Sequence, residues 1–411
     1  MVRHKKTLPK EPDMPFLFHN AQIINGKGDI FSNGYVGVEG NLITELGTGP
    51  IPQKGPNWER IDLQGRTLMP GIIDCHVHLC LDGSADPFLS LPQIPDPLLV
   101  LKAYQSAYLT LQAGVTTVRD MGAKNGVVTH LRNAVNSGIL MGPRILSSGQ
   151  CICMTGGHGW SMGCEADGPD GVRKAVREQL KTGVDNVKFM ATGGVLTPGV
   201  DPGSSQLSYA EMKAGIEEAH NAGRITGAHA QGTGGIKNAI NAGIDTIEHG
   251  VFLDDETIQM MLDRKIVLVP TIAAPYFIIQ GCNKGIPASV SEKAKSVDGS
   301  HLNSAKKAFA AGVTIAMGTD AGTPFNLHGA NAKELELLTE IGLSPMQAIT
   351  AATGIASRTL GLDKKVGVIE KGKIADLLAV TGDPLKDITL LQDQARLAMV
   401  MKEGIFVKKV L

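Results

Sequence analysis

His76-Val77-His78 sets two imidazoles two residues apart, directly after the apolar run Leu68–Ile73. On an extended chain residues i and i+2 face one side, so both rings would leave the end of a strand together. His229 lies at the end of the run Ile225–Ala230, and His249 at the end of Thr246–Gly250. Asp320 follows the run Thr314–Met317, within Gly318-Thr319-Asp320-Ala321-Gly322. Imidazoles and a carboxylate are the ligands of Zn²⁺ and similar divalent ions. Any one of these residues alone reads as an ordinary core or loop residue. Five at equivalent places read as a metal centre.

Lys188 is placed where a cation is costly. It stands mid-strand in Val187-Lys188-Phe189-Met190, between apolar residues, and an unpaired ammonium is expensive to bury. One reading is a lysine that snorkels or pairs with an acid. The other is a lysine carboxylated by CO₂, an anion able to bridge two metals; a buried lysine of depressed pKa is the kind that reacts so.

These residues need strands that end at one place. Short β-branched runs recur at Thr67–Asp74, Val115–Asp120, Arg144–Ser148, Asn186–Thr192, Ile225–Ala230, Thr246–Gly250, Ile266–Ile272 and Thr314–Thr319, with helical stretches between them. Eight strand–helix units predict an α/β fold, a (β/α)8 TIM barrel whose site sits at the C-terminal strand ends. The helices end in a repeated phrase, in which Gly114, Gly183, Gly223, Gly243 and Gly312 each stand just before the next strand. Glycine there supplies the left-handed residue that stops a helix. Ser208-x-x-Glu211 and Ser344-Pro345 mark helix starts, and Met212, Ile216 and Ala219 share one helix face.

Both ends read as short strands. Phe16–Ile24, Tyr35–Glu39 and Leu42–Leu46 precede the barrel; Val366–Ile369, Ala375–Val380, Leu397–Lys402 and Ile405–Val407 follow it. The predicted organisation is residues 1–66 and 364–411 as two parts of one small β-sandwich domain flanking a metal-binding barrel at 67–363.

The chain has 411 residues, with 39 Lys+Arg against 40 Asp+Glu and 4% aromatics. That balance gives no support to a nucleic-acid or anionic-membrane partner. The basic Met1–Lys10 segment (Arg3, Lys5, Lys6, Lys10) is followed by no apolar stretch, and no run is long enough to span a bilayer. Six scattered cysteines predict free thiols, Cys151-x-Cys153 lacks a zinc-ribbon pattern, and a cytoplasmic location is expected.

Taken in order, Asp74-x-His76-x-His78, Lys188, His229, Glu248-His249 and Asp320 resemble the amidohydrolase superfamily, in its imidazolonepropionase-like branch with prolidase-like, arginine carboxypeptidase-like and ochratoxin-hydrolysing members. Thr155-Gly156-Gly157-His158, Met190-Ala191-Thr192-Gly193-Gly194 and Glu370-x-Gly372-x-x-Ala375-Asp376 extend the likeness over nearly the whole chain. The resemblance implies His76 and His78 on one divalent ion, His229 and His249 on a second, and carboxylated Lys188 between them, with zinc the expected metal. It implies that Asp320 ligates the first ion and shuttles the proton, and that a hydroxide between the ions attacks an amide.

True imidazolonepropionases resemble this chain but lack the bridging lysine, so Lys188 points to a binuclear, peptidase-like hydrolase. The expected substrate is a dipeptide or N-acyl amino acid that releases its C-terminal residue. His158, in a Gly-rich loop, is the candidate for orienting it; packing against Trp160 is the plain alternative. Dipeptidase relatives can carry a tyrosine before the helix that starts at Ser208, where this chain has Leu207, with Tyr209 two residues later. That departure keeps cyclic amides, lactones and, further off, deamination open. Met154, Met162, Met190 and the loop Leu196–Gln206 are expected near the mouth, His328 beside Asp320, and His220, His4, His19, His130 and His301 away from the site. A scaffold that has lost catalysis would lack a ligand, and none is missing. The resemblance also implies a homo-oligomer.

Overall fold

The computed structural model describes residues 14–411, so the basic Met1–Lys10 segment and His4 lie outside the described residues. Ile72–Val77, Val115–Asp120 and Arg144–Ser147 pair in parallel. Cys151–Cys153, Asn186–Met190, Ile225–Ala230, Thr246–His249 and Val267–Val269 form a second parallel series. Only Ser148-Gly149-Gln150 separates Arg144–Ser147 from Cys151–Cys153 along the chain.

The run expected as a strand at Thr314–Thr319 has a single residue-pair bridge there, Ile315 to Leu268. It still bonds on both sides. Leu268 N–H donates to Thr314 O at 2.9 Å, and Cys75 N–H donates to Met317 O at 2.9 Å. Ile266–Ile272 is also shorter than its pattern suggests, because Pro270 brings no N–H and Thr271 turns to φ 53°.

The helix stops follow the sequence closely. Gly114, Gly183, Gly223, Gly243 and Gly312 all take positive φ, from 68° to 98°. Ser208 and Ser344 each close a capping box. Met212, Ile216 and Ala219 bury one helix face against the strands, within a single large apolar core.

Strands from both ends of the chain share one mixed sheet. Phe16–Ile24 pairs with Ile30–Glu39 and, in parallel, with Thr67–Pro70; Thr67–Pro70 pairs antiparallel with Leu377–Val380, which leads on to Leu397–Lys402 and Ile405–Lys409. Phe18, Val36, Leu68, Leu377 and Met399 form its separate core.

Two expectations are corrected here. Thr67–Asp74 is not one strand: it breaks at Pro70-Gly71, where the chain passes from the mixed sheet to the parallel one. A Cβ at Gly71 would lie 2.2 Å from Thr116 Oγ1, so only glycine fits this crossing. Val366–Ile369 is not a strand but an irregular stretch whose Ile369 N–H donates to Asn25 O at 3.0 Å. Its alternating apolar residues serve two different clusters, Val366 one and Ile369 the other.

No helix among the described residues is long and apolar enough to cross a membrane. The six cysteines are free thiols.

Candidate active site

His76, His78, Lys188, His229, His249, Asp320 and His158 all line one pocket. His76, His229 and His249 stand at the ends of parallel strands, His78 and His158 in loops that follow strands, Lys188 in the middle of Asn186–Met190, and Asp320 just after the extended run 314–319. His249 and Asp320 hold φ of 72° and 58°, a sparsely populated conformation for side-chain-bearing residues that concentrates at functional sites.

The rings are close together. The His76 and His78 centroids are 5.4 Å apart, His76 and His249 5.1 Å, His229 and His249 4.6 Å, and His158 and His229 4.3 Å. One carboxylate oxygen, Asp320 Oδ1, lies 3.4 Å from both His76 Nε2 and His78 Nε2. Ligand atoms of His76, His249 and Asp320 fall within 4.8 Å of one another.

Each of the four imidazoles spends one nitrogen outward. His76 Nδ1 lies 2.8 Å from Glu248 Oε2, and a carboxylate only accepts, so Nδ1 carries the hydrogen. His78 Nδ1 donates to Gly122 O at 2.9 Å, and His229 Nε2 donates to Gly193 O at 2.8 Å. His249 Nδ1 meets Thr271 Oγ1 at 2.6 Å, and that hydroxyl already donates to Pro270 O. Every tautomer is therefore fixed, with a lone pair left on the inward nitrogen. The donor set fits a divalent metal on this ground.

Burial holds all these histidines neutral. It drives His76, His229 and His249 well below the usual histidine range, and His78 and His158 to about 3. Burial also lowers Lys188 and raises Asp320, each partly offset by the other's charge. The acids near Lys188 are engaged elsewhere: Glu248 with Arg119 and His76, Asp320 with His76 and His78.

His158 is 6% exposed and packs on His229 and Phe88, not on Trp160, which is 50% exposed. Its Nδ1 meets Thr197 Oγ1 at 2.8 Å. Leu207 is buried in the main core, and the Tyr209 hydroxyl accepts from Lys213 Nζ at 3.2 Å; neither lines the pocket. Met162, Met190 and Leu196 line it, and Met154 does not. His328 Nε2 donates to Leu81 O at 3.0 Å, outside the pocket. His220 pairs with Asp245 at the surface.

His301, expected away from the site, lines the pocket from the helix Ala288–Ala311, its Nε2 donating to Pro270 O at 2.7 Å. The signal was present in the sequence. Val290, Ala294, Val297, His301, Ala305 and Ala308 recur at helical spacing, which puts the histidine in the buried stripe. Gln231 was also missed. It stands two residues after His229, its backbone is fixed by Thr192 Oγ1 and Phe252 N, and its Oε1 is buried without a partner at the pocket wall.

A family model described as "Amidohydrolase family" matches residues 67–407. The chain belongs to the amidohydrolase family. Ochratoxinase of Aspergillus niger is 31% identical over 94% of this chain and 85% of its own length. A crystal structure of a Xaa-Pro dipeptidase with bound methionine superposes with a TM-score of 0.88 at 35% identity, covering 96% of this chain and 100% of that one. A prolidase complexed with N-methylphosphonate-L-proline superposes with a TM-score of 0.90 at 30% identity, with coverage of 96% and 100%. This amidohydrolase thus shares the family's α/β fold and is a hydrolase of C–N bonds, acting on amides.

Proposed function

We propose that this amidohydrolase cleaves the amide of a dipeptide or N-acyl amino acid at a centre of two divalent ions, zinc the expected metal, within a closed (β/α)8 barrel. The observation that carries the reading is the convergence of four tautomer-fixed imidazoles, one carboxylate and one unpaired buried lysine on a single pocket. His76, His78 and Asp320 would hold one ion, His229 and His249 the other, with Lys188 joining them as its carbamate. The ions, when bound, supply Lewis acidity toward a carbonyl and toward water. Asp320, with Oδ1 turned to His76 and His78, keeps Oδ2 to take a proton from the attacking water and return it to the departing amine. His158 keeps Nε2 for the substrate. Leu81, Phe88, Met162 and Ile278 shed water around an apolar acyl or side-chain group.

The test is zinc stoichiometry of the purified chain beside hydrolysis of pooled dipeptides and N-acyl amino acids. Two ions per chain with release of free amino acids is the expected result. The positions of Leu207 and Tyr209 outside the pocket favour one second reading, a cyclic-amide or lactone hydrolase. One ion per chain and no amino-acid release would select it.

Gly194 offers a separate check on His158. A Cβ there would fall 2.5 Å from the His158 ring, so Gly194→Ala displaces that ring, which packs on His229. Turnover is expected to drop about 100-fold, the cost of misplacing an orienting group by about 1 Å, with metal content measured on the same sample to separate this from any loss at His229. Wild-type turnover in that variant would remove His158 from the mechanism.

A further inference from the structure

Arg119 is a cation buried completely inside the fold, one residue before the end of Val115–Asp120. It does not line the active-site pocket, and the chemistry above does not use it. Its guanidinium nevertheless ties three strands together. Nε donates to Cys75 O at 2.6 Å, Nη1 to Thr246 Oγ1 at 3.1 Å, and Nη2 to Glu248 Oε1 at 2.8 Å. Cys75 precedes His76, and Glu248 precedes His249. The other oxygen of Glu248 is the one that holds His76 Nδ1.

We propose that Arg119 is a positioning residue for the metal centre: by fixing Glu248, it holds His76 with Nε2 turned toward the ion. A carboxylate pinned at one oxygen by a rigid fork cannot rotate, so its second oxygen meets the imidazole in one place. Gly227 makes room for this arrangement, since a Cβ there would lie 2.9 Å from Glu248 Oε1. Stability alone does not account for the pair. Apolar residues of equal volume often replace a buried ion pair without loss. The inference rests on the reading of the pocket as a divalent-metal site.

The test uses Zn²⁺ as the probe, with affinity measured by competition against a chelator for wild type, Arg119→Lys, Arg119→Met, Glu248→Gln and the Arg119→Met/Glu248→Gln double variant. Arg119→Met and Glu248→Gln are each expected to weaken one zinc about 10- to 100-fold, the usual effect of losing a partner behind a ligand histidine. Arg119→Lys, a point charge without the fork, should recover only part of it. The double variant should bind no more weakly than the worse single one, because both act on the same ring. If Arg119→Met is too unstable to purify, the lysine and double variants decide, since neither leaves a buried carboxylate facing no partner charge of its own. Wild-type zinc affinity in Arg119→Lys and in the double variant, or losses that add, would overturn the proposal. A wild-type chain that takes up no zinc would overturn the metal centre, and this proposal with it.

Discussion

Asp320→Asn is expected to lower kcat by about 100- to 10,000-fold, the range for loss of a positioned proton carrier, with little change in fold. The substitution is a clean one for two reasons. Asp320 stands at φ 58°, and asparagine tolerates that left-handed conformation as well as aspartate does. Its backbone N–H is also held by His76 O at 2.7 Å, a bond the side-chain change leaves alone. The amide keeps an oxygen near His76 and His78 but cannot accept a proton and give it back. In the metal-free site burial raises the Asp320 carboxyl above the usual carboxylate range, against the lowering effect of Lys188. Steady-state hydrolysis of an N-acyl amino acid, with metal content measured on the same sample, checks this. A fully metallated Asp320→Asn enzyme within tenfold of wild type would remove Asp320 as the shuttle.

Lys188→Met is expected to act in opposite directions on stability and on catalysis. In the chelator-treated protein Lys188 is a buried amine whose neighbouring acids are committed to Arg119, His76 and His78. Burial depresses its pKa below that of the unfolded chain. Between the folded and unfolded values the unfolded chain binds more protons, so stability rises with pH through that window. The penalty is complete below the folded pKa and lifts as pH climbs toward 10.5, the ordinary lysine value. Methionine removes both the penalty and the slope. The metal-free variant should gain about 1–3 kcal/mol near pH 7, the cost of burying an unpaired polar group, and the gain should shrink by pH 9.5. Denaturant unfolding at pH 6.5, 8 and 9.5 reads both quantities. With zinc supplied, the same variant should bind one ion fewer and lose about 100- to 1,000-fold in kcat, comparable to removal of one preorganised electrostatic group. Two bound ions in Lys188→Met would exclude the bridging carbamate.

The residues of the pocket were legible in one dimension because a strand end is a local feature. A short buried run that stops at a histidine says where that ring leaves the sheet, whatever the sheet pairs with. The five glycine stops were legible for the same reason: a left-handed residue ends a helix through its own backbone, and all five take positive φ. The failures lie where one pattern served two surroundings. Thr67–Asp74 reads as one strand, yet its halves belong to different sheets, because Gly71 must pass against Thr116. His301 reads as isolated until its helix is laid across the strand ends, with the same stripe that buries Val297 carrying the imidazole into the pocket.

By itself, then, the sequence determined most of the elements, the helix stops, and most of the polar side chains that meet in the pocket, because propensity, capping and periodicity act over a few residues. Tertiary structure decided what those side chains face. Glu248 meets His76 across 172 positions of chain and Arg119 meets Glu248 across 129; Leu207 turns into the core and Gln231 is left at the pocket wall with its acceptor unspent. These pairings depend on register between distant strands, and no local pattern encodes register between segments that far apart.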